Sequence, residues 1–431
     1  MRFPIDVHDT EVPQLLDGLT QITGIEPWKR RFEWLQREAA GNPLMEEWLR
    51  ERCSIEWTFS EVLRSQPLMP RRPFRVENMA QYELVAFAAG TVRSYERLSE
   101  RGRRRLRGVL LDGLKEDKGL SSVQHEITTA VHLMSRGFDV EFHDMEHGGG
   151  FDFVARKQGI EIEVECKMFS ADLGRKIHRR RSATLCKALE SVLAQTYGSA
   201  SAGMIVTVTI PDRLTPSPEQ HGGIEQTLRA GLLSGDALTR TEHCEVRVLD
   251  FAVDTSPFNR APEELSHKAV QHFVWERTGR SNSTLMIVFS PGRRAIVLSL
   301  DSQKSDDVLK GMRHQLREAA KGQFTKTRPA FLAVQLHDLT AAQLADLAQS
   351  DSPWRGNATG LQVMTSDFLQ SPSRAHIHSV IYRSHSTLSD DRQHGQKRGD
   401  GLAYVIKNGY HPRHKDPQYS IFGGEPIGLR D

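Results

Sequence analysis

The stretch Phe151–Met168, FDFVARKQGIEIEVECKM, constrains this chain more than any other. Apolar residues alternate with charged ones on either side of Gln158-Gly159, which predicts a β-hairpin with strands over 151–156 and 160–168. The period of two puts Ile160, Ile162, Val164, Cys166 and Met168 on one face of the second strand. Glu161, Glu163, Glu165 and Lys167 share the other. Glu165 and Lys167 therefore point the same way, where the first strand can deliver Asp152. Two carboxylates and an amine converging on one spot suit a divalent cation with a water beside it.

Hydrolysis of a phosphodiester needs such an arrangement. Carboxylate oxygens at Asp152 and Glu165 match a hard cation, Mg²⁺ or Mn²⁺, which prefers oxygen ligands and retains waters. The cation would polarise the phosphoryl oxygen and acidify a bound water. Lys167 could act as a base with a lowered pKa or as a cation against the growing phosphorane charge, and the residues alone leave both open. Glu163 is an alternative ligand, although a surface charge is the simpler reading.

Asp152 followed by Glu165-Cys166-Lys167 on the next strand resembles the PD-(D/E)XK nuclease signature of restriction-endonuclease-like proteins. In that family a helix before the hairpin often adds a glutamate to the metal site. Here Glu126 lies in SSVQHEITTAVHLMSRGF, which reads as a helix running into a strand. The resemblance covers roughly residues 120–211. It implies a restriction-endonuclease-like mixed-sheet core, with Asp152, Glu165 and Glu126 as metal ligands and Lys167 positioning the water. It further implies metal-dependent cleavage of nucleic acid, leaving a 5′-phosphate and a 3′-hydroxyl. Gly148-Gly149-Gly150-Phe151 stands where many members have a proline before the aspartate. An isolated ExK on a strand is ordinarily a solvated face, so the ordered set carries the weight: helical glutamate, Asp152, ExK and the basic helix beyond.

The elements around the hairpin follow from local pattern. Ser121 with Gln124 predicts a capping box for a helix with Val123, Ile127, Val131 and Met134 on its apolar face, and Gly137 predicts its stop. Glu126 borders that face, where a charge wants a partner. A strand is expected at Phe138–Phe142. The loop HDMEHGGG has His143 and His147 four apart, but a zinc site there requires a helix, and the glycines favour a loop. A helix over 172–196 follows, with Arg175, Lys176, His178, Arg179, Arg180 and Arg181 in its first half. The arginines and Lys176 are expected to hold the nucleic-acid backbone without reading bases. Met204–Ile210 is an apolar, β-branched run suited to the buried centre of a mixed sheet.

The expected class is α/β, with a helical N-terminal domain (1–118), the nuclease-like core (119–215) and a C-terminal α/β extension (216–431). Residues 1–118 read as helices. Trp28, Trp34, Trp48 and Trp57 are expected to build their core, and the basic run Arg101–Arg107 to offer phosphate contacts. Residues 285–336 repeat the order hairpin, helix, strand, with Met286 or Ile287 and Ser299-Leu300-Asp301 at the site positions. A degenerate, catalytically empty copy of the core is one explanation, and convergence on common α/β grammar the favoured one. Beyond lie a strand at 376–383, a polar loop at 384–400 and a short strand at 402–406. His376, His378, His385, His394, His411 and His414 are expected to be solvated.

Net charge is only +2 over 431 residues, so attraction for phosphate must come from local patches. The four cysteines show no CxxC spacing, which argues against structural zinc and disulfides and fits a reducing, cytoplasmic setting. No apolar run is long enough for a membrane span and the N-terminus is too polar for a secretion signal. Nucleic acid is the expected partner, DNA ahead of RNA, and homodimerisation to cut both strands is compatible. There is no GxxxxGK[ST] segment, so strand separation would need a separate helicase or regulatory protein. Two other classes fit the same residues: a catalytically inactive module that binds nucleic acid or protein, and a metal-dependent hydrolase of another phosphoester.

Overall fold

A computed structural model describes residues 7–65, 74, 76–115, 118–170, 172–196, 201–259, 267–279, 284–289, 294–336, 341–351, 358–384, 387–391, 396–400 and 403–422. The chain is mixed α/β and divides into two units. One comprises Met1–Arg37, Leu49–Leu173 and Val308–Asp431; the other comprises Glu38–Trp48 and Gly174–Asp307. These are not the boundaries 1–118, 119–215 and 216–431 expected from sequence. The second unit's main segment interrupts the first directly after the hairpin.

The chain opens with six helices: α1 (Val12–Thr23), α2 (Ile25–Ala39), α3 (Pro43–Arg52), α4 (Ser54–Ser65), α5 (Met79–Arg97) and α6 (Glu100–Gly113). Side-chain caps start α3, α5 and α6: Asn42 accepts from the Met45 amide, Asn78 from the Gln81 amide and Ser99 from the Gly102 amide. Trp28, Trp34 and Trp57 are buried as expected, and Trp28 meets Phe59 edge-on at 5.0 Å, whereas Trp48 is half-buried and belongs to the other unit. This core is not a separate helical domain. It is continuous with α7 (Ser121–Ser135) and with one face of the sheet beneath. The predicted capping box does not form, because Ser121 donates instead to the Arg52 carbonyl at 2.6 Å. Gly137, at φ +82°, turns the chain out of α7.

Then come β1 (Asp139–Phe142), a short helix α8 (His143–His147), β2 (Phe153–Lys157) and β3 (Ile160–Phe169). The β2–β3 hairpin pairs Lys157 with Ile160 and Arg156 with Glu161, with Gln158 and Gly159 both at positive φ in the two-residue turn. Residues 174–307 then form α9 (Arg179–Ala194), β4 (Ala202–Ile210), α10 (Pro218–Ser234), β5 (Leu238–Arg240), β6 (Glu245–Ala252), α11 (His267–Thr278), β7 (Thr284–Phe289) and β8 (Ala295–Ser302). Their strands make a sheet of order β5-β6-β4-β8-β7. The chain returns with α12 (Val308–Gly322), β9 (Ala330–Leu336), α13 (Ala341–Ser350), α14 (Gly360–Leu369), β10 (Ile377–Arg383), β11 (Thr387–Asp391), β12 (Gln396–Asp400) and β13 (Ala403–Lys407).

The first unit's sheet has the order β1-β2-β3-β9-β10-β13. β9 lies parallel to β3, and β10 parallel to β9. One face packs Ile160, Ile162, Val164 and Cys166 against α7, and the other packs Val154, Leu332, Val334 and Tyr382 against α12 and α14. The helix and strand that complete the hairpin's sheet are thus α12 and β9, not α9 and β4. The apparent repeat over 285–336 is no repeat, because β7 and β8 belong to the second unit while α12 and β9 belong to the first. Residues 387–391 and 396–400 pair as an antiparallel ribbon where a polar loop was expected. His378 and His411 are buried rather than solvated, and His378 stacks on Phe331 and Tyr419. His385 and His394 lie outside the described residues.

One ion pair ties α2, α4 and the entry to α7 together. Arg31 and Glu56 have no exposed side-chain surface and meet at 3.1 Å. Arg31 also donates to the carbonyls of Lys115 and Lys118, and Glu56 accepts from the Leu120 amide. Removing one member strands the other charge in the core. Glu56→Ala should therefore lower unfolding free energy in urea by about 3–5 kcal/mol. A loss below about 1 kcal/mol would mean that Arg31 had found another partner or water.

Candidate metal site on the β2–β3 hairpin

The hairpin register sets the site. Asp152 lies one residue before β2, its amide donating to the Val164 carbonyl at 3.1 Å, which places it beside Glu165. Its Oδ2 accepts from the Cys166 amide at 2.6 Å, so the side chain is turned along β3. On β3, Lys167 Nζ lies 2.5 Å from Glu165 Oε1, and the Glu165 side chain is almost fully buried. α7 brings Glu126 to the same place, within electrostatic reach of Asp152, Glu165 and Lys167. All four residues read from the sequence as metal-site candidates are therefore brought together.

A fifth group joins them. Asp144 on α8 acts on Glu126, Asp152 and Glu165 as a neighbouring negative charge. Sequence reasoning placed it in a loop and missed it. The chain reverses from α8 to Asp152 through Gly148, Gly149 and Gly150, at φ +90°, +87° and +90°, a run that only glycine adopts readily. The His143 amide then donates to the Asp152 carbonyl at 2.8 Å, which closes the reversal. The triple glycine, seven residues after the β1 carboxylate Glu141, was the available signal.

Four carboxylates share this space with a single ammonium. Burial raises Glu126 to about 8, and Asp144 and Glu165 reinforce it while Lys167 opposes it. Burial likewise raises Asp152 well above its ordinary range, with Glu126 and Glu165 adding to it. Glu165 and Asp144 are raised by burial as well, Lys167 opposing at Glu165 and backbone hydrogen bonding and Arg105 opposing at Asp144. Groups this close share protons as a set rather than singly. Burial works against the Lys167 ammonium, yet Glu165, Asp152 and Glu126 together hold its pKa above the ordinary lysine value. Of the two roles open in the sequence, a raised pKa fits the cation and not the base.

Two oxygens decide what the set can hold. Glu165 Oε2 and Asp144 Oδ1 are buried and make no hydrogen bond. Buried carboxylate oxygens ordinarily find a donor or a cation. An all-oxygen set with surplus negative charge fits a hard divalent cation, and Glu126, Asp144, Asp152 and Glu165 are the residues that would hold it. Glu163 is neither a ligand nor a surface charge. It is fully buried, accepting from the Thr325 amide at 3.0 Å, from the Thr325 hydroxyl and from Arg328 Nη1 at 3.1 Å.

The basic residues divide. Arg175, Lys176, Arg179, Arg180 and Arg181 lie in the second unit, outside the sheet that carries the carboxylates. Arg175 and Lys176 precede α9 rather than belonging to it. Lys176 lies 3.4 Å from Asp307 and 3.7 Å from Asp212, Arg180 lies 3.5 Å from Glu38, and Arg181 donates to the Leu214 carbonyl. The α6 run is in the first unit, packed on α8. Arg101 donates to the His147 carbonyl at 2.8 Å and Arg105 to the Asp144 carbonyl. Arg101, Arg104, Arg105 and Arg107 are all exposed.

Compared with family models, with curated proteins and with solved structures, the chain gives no match. Among the described helices none is long and apolar enough to cross a membrane.

The pKa directions have a consequence for stability. Glu126 moves from 4.5 to about 8 on folding, so its contribution is fully present below 4.5 and is lost as pH rises through about 8. In EDTA, wild type should therefore lose melting temperature relative to Glu126→Gln over that window. Mg²⁺ or Mn²⁺ should restore more at the top of the window than at the bottom, because the cation competes with the shared protons. Parallel pH profiles for the two proteins would remove Glu126 from the charged set.

Proposed function

We propose that this protein is a metal-dependent nuclease that hydrolyses phosphodiester bonds at the β2–β3 hairpin. The observation that carries the proposal is the gathering of Glu126, Asp144, Asp152 and Glu165 around Lys167, with two buried oxygens left without donors. A structural ion-pair network would neutralise its carboxylates, as Arg156 and Arg328 do for Glu161 higher on the same strand. Here Lys167 pairs with Glu165 and Arg105 acts on Asp144, and the surplus charge of the four carboxylates calls for a divalent cation.

The order of elements supports the same conclusion. Helix, strand, hairpin, helix, strand is the order the restriction-endonuclease-like resemblance implies. It runs here through α7, β1, β2–β3, α12 and β9, with residues 174–307 inserted after β3. On that reading Glu126, on α7, and Asp152, Glu165 and Lys167, at the hairpin, would be the residues of the metal site.

When bound, Mg²⁺ or Mn²⁺ supplies Lewis-acid polarisation of the phosphoryl oxygen and acidifies water. The protein's own groups do the rest. Asp152, just before β2 and fixed by the Cys166 amide, and Glu165, on β3 and fixed by Lys167, would present oxygens with little freedom to move. Lys167 holds its proton and stands where negative charge grows as the phosphorane forms. The exposed arginines of α6, on the helix packed against α8, offer positive charge to a polyanionic backbone near Asp144. Contacts of this kind position a strand and carry no base sequence. DNA is the favoured substrate class.

Cleavage of supercoiled plasmid, linear duplex, single-stranded DNA and RNA, each with Mg²⁺, Mn²⁺ or EDTA, tests the proposal. Wild type should cut at least one substrate with metal and none in EDTA. Asp152→Ala and Lys167→Ala should each reduce the rate about a hundredfold or more. Arg104→Ala with Arg107→Ala should weaken binding and flatten its salt dependence, and leave the metal requirement intact. Cutting that survives both hairpin substitutions would reject the site. A metal-loaded wild type that binds nucleic acid but cuts none would make the protein a binding module.

A further inference from the structure

β1 and α8 assemble a second donor set of different chemistry. One ligand atom from each of Glu141, His143 and His147 lies within 4.8 Å of the others. His143 opens α8 and His147 closes it, so the spacing of four brings both rings to one side of a single turn. Their centroids are 4.9 Å apart. Glu141 comes from β1, with Oε1 2.7 Å from His147 Nε2. The reason for reading this segment as a loop, and so without a ligand set, does not hold.

The set has the outer support that metal ligands usually have. Glu141 Oε2 accepts from Arg156 Nη1 at 2.7 Å, which fixes the carboxylate and turns Oε1 toward the imidazoles. The His143 ring lies against Phe151 at 4.3 Å and 11°, which fixes its plane. Charge bookkeeping along the neighbouring strands points the same way. Arg156 serves both Glu141 and Glu161, and Arg328 serves both Glu161 and Glu163. Three carboxylates thus share two guanidinium groups, and Glu141, beside the two histidines, is an end of that chain with only one arginine, itself shared with Glu161.

We propose that Glu141, His143 and His147 bind a transition-metal ion of the Zn²⁺ class, separate from the hard-cation set at Glu126, Asp152 and Glu165. Two imidazoles and a carboxylate suit Zn²⁺ and its first-row neighbours, whereas carboxylates alone suit Mg²⁺. His147 is exposed and the other two are half-buried, so a fourth position faces solvent. An ion there ties α8 to β1, and α8 carries Asp144. The site thereby steadies one member of the carboxylate set without touching the reacting atoms.

The test is a binding measurement on the full chain, stripped with chelator and dialysed. Zn²⁺ is titrated by calorimetry, and Co²⁺ by visible absorption, into wild type, Asp152→Asn, His143→Ala and His147→Ala. One equivalent should bind to wild type and to Asp152→Asn, and binding should weaken at least about tenfold in each histidine variant. His147→Gln, which retains a hydrogen-bonding side chain near Glu141, replaces His147→Ala if that variant fails to fold. Absence of Zn²⁺ binding in wild type, or affinity unchanged by both histidine substitutions, would overturn the site. Loss in Asp152→Asn with retention in the histidine variants would assign the ion to the carboxylate set instead. None of these readouts depends on nuclease activity, so this site and the nuclease proposal can fail separately.

Discussion

A row of like charges on one face of a strand is tolerable only where the rest of the structure answers it, and β3 carries Glu161, Glu163 and Glu165 on one face. Glu161 has two arginines, Arg156 and Arg328. Glu163 is buried but saturated by Thr325 and Arg328. Glu165 has Lys167 alone, and shares its surroundings with Glu126, Asp144 and Asp152. Compensation therefore declines along the strand from complete to deficient. The deficit lies where the hairpin, α7 and α8 meet, and the low dielectric of buried surroundings magnifies each uncompensated charge. A scaffold evolved only for stability has no reason to concentrate repulsion in one place, because replacing such groups with apolar ones generally stabilises.

The groups that answer β3 come from far along the chain. Thr325 and Arg328 lie in the turn between α12 and β9, past the whole inserted unit, and β9 supplies the parallel partner of β3. The hairpin is therefore local in sequence while the conditions that make its charges bearable are not. Glu163 illustrates this. From sequence it is one more exposed position in an alternating strand, yet it is buried because the α12–β9 turn closes over it.

That distinction separates what could be read beforehand from what could not. The hairpin turn at Gln158-Gly159, the facing of Glu165 and Lys167, the helix bearing Glu126 and its stop at Gly137 rest on short-range periodicity and backbone preference, and those are legible. The partner of β3 is not, because Met204–Ile210 and Ala330–Leu336 are both short apolar runs after a helix, and either satisfies a central strand. Only long-range pairing selects one. The same ambiguity assigned α9's arginines to the sheet that carries the site, and made β7, β8, α12 and β9 look like a repeat. Asp144 was hidden for a different reason. A five-residue helix is too short to announce itself by periodicity, or to be stable by itself.

What holds α8 is therefore a matter of tertiary contacts, and they are specific. Met145 inserts into the core. Glu146 accepts from the Ser99 amide at 2.9 Å and from the Ser99 hydroxyl, which docks α8 on the start of α6. Arg101 donates to the His147 carbonyl at the helix end, and Arg105 donates to the Asp144 carbonyl, which also accepts from the Gly148 amide at 3.0 Å. His147 reaches Glu141 on β1. Every residue of this turn thus has a tether through its own side chain or carbonyl, His143 through its stack on Phe151, while the Asp144 carboxylate keeps an oxygen with no donor. The basic helix that a sequence reading assigns to phosphate contacts does structural work here as well, since two of its arginines build the platform from which Asp144 reaches the carboxylate set. Charge on α6 and geometry at the hairpin are coupled through this one helical turn, so substitutions at Arg101 or Arg105 act on the position of Asp144.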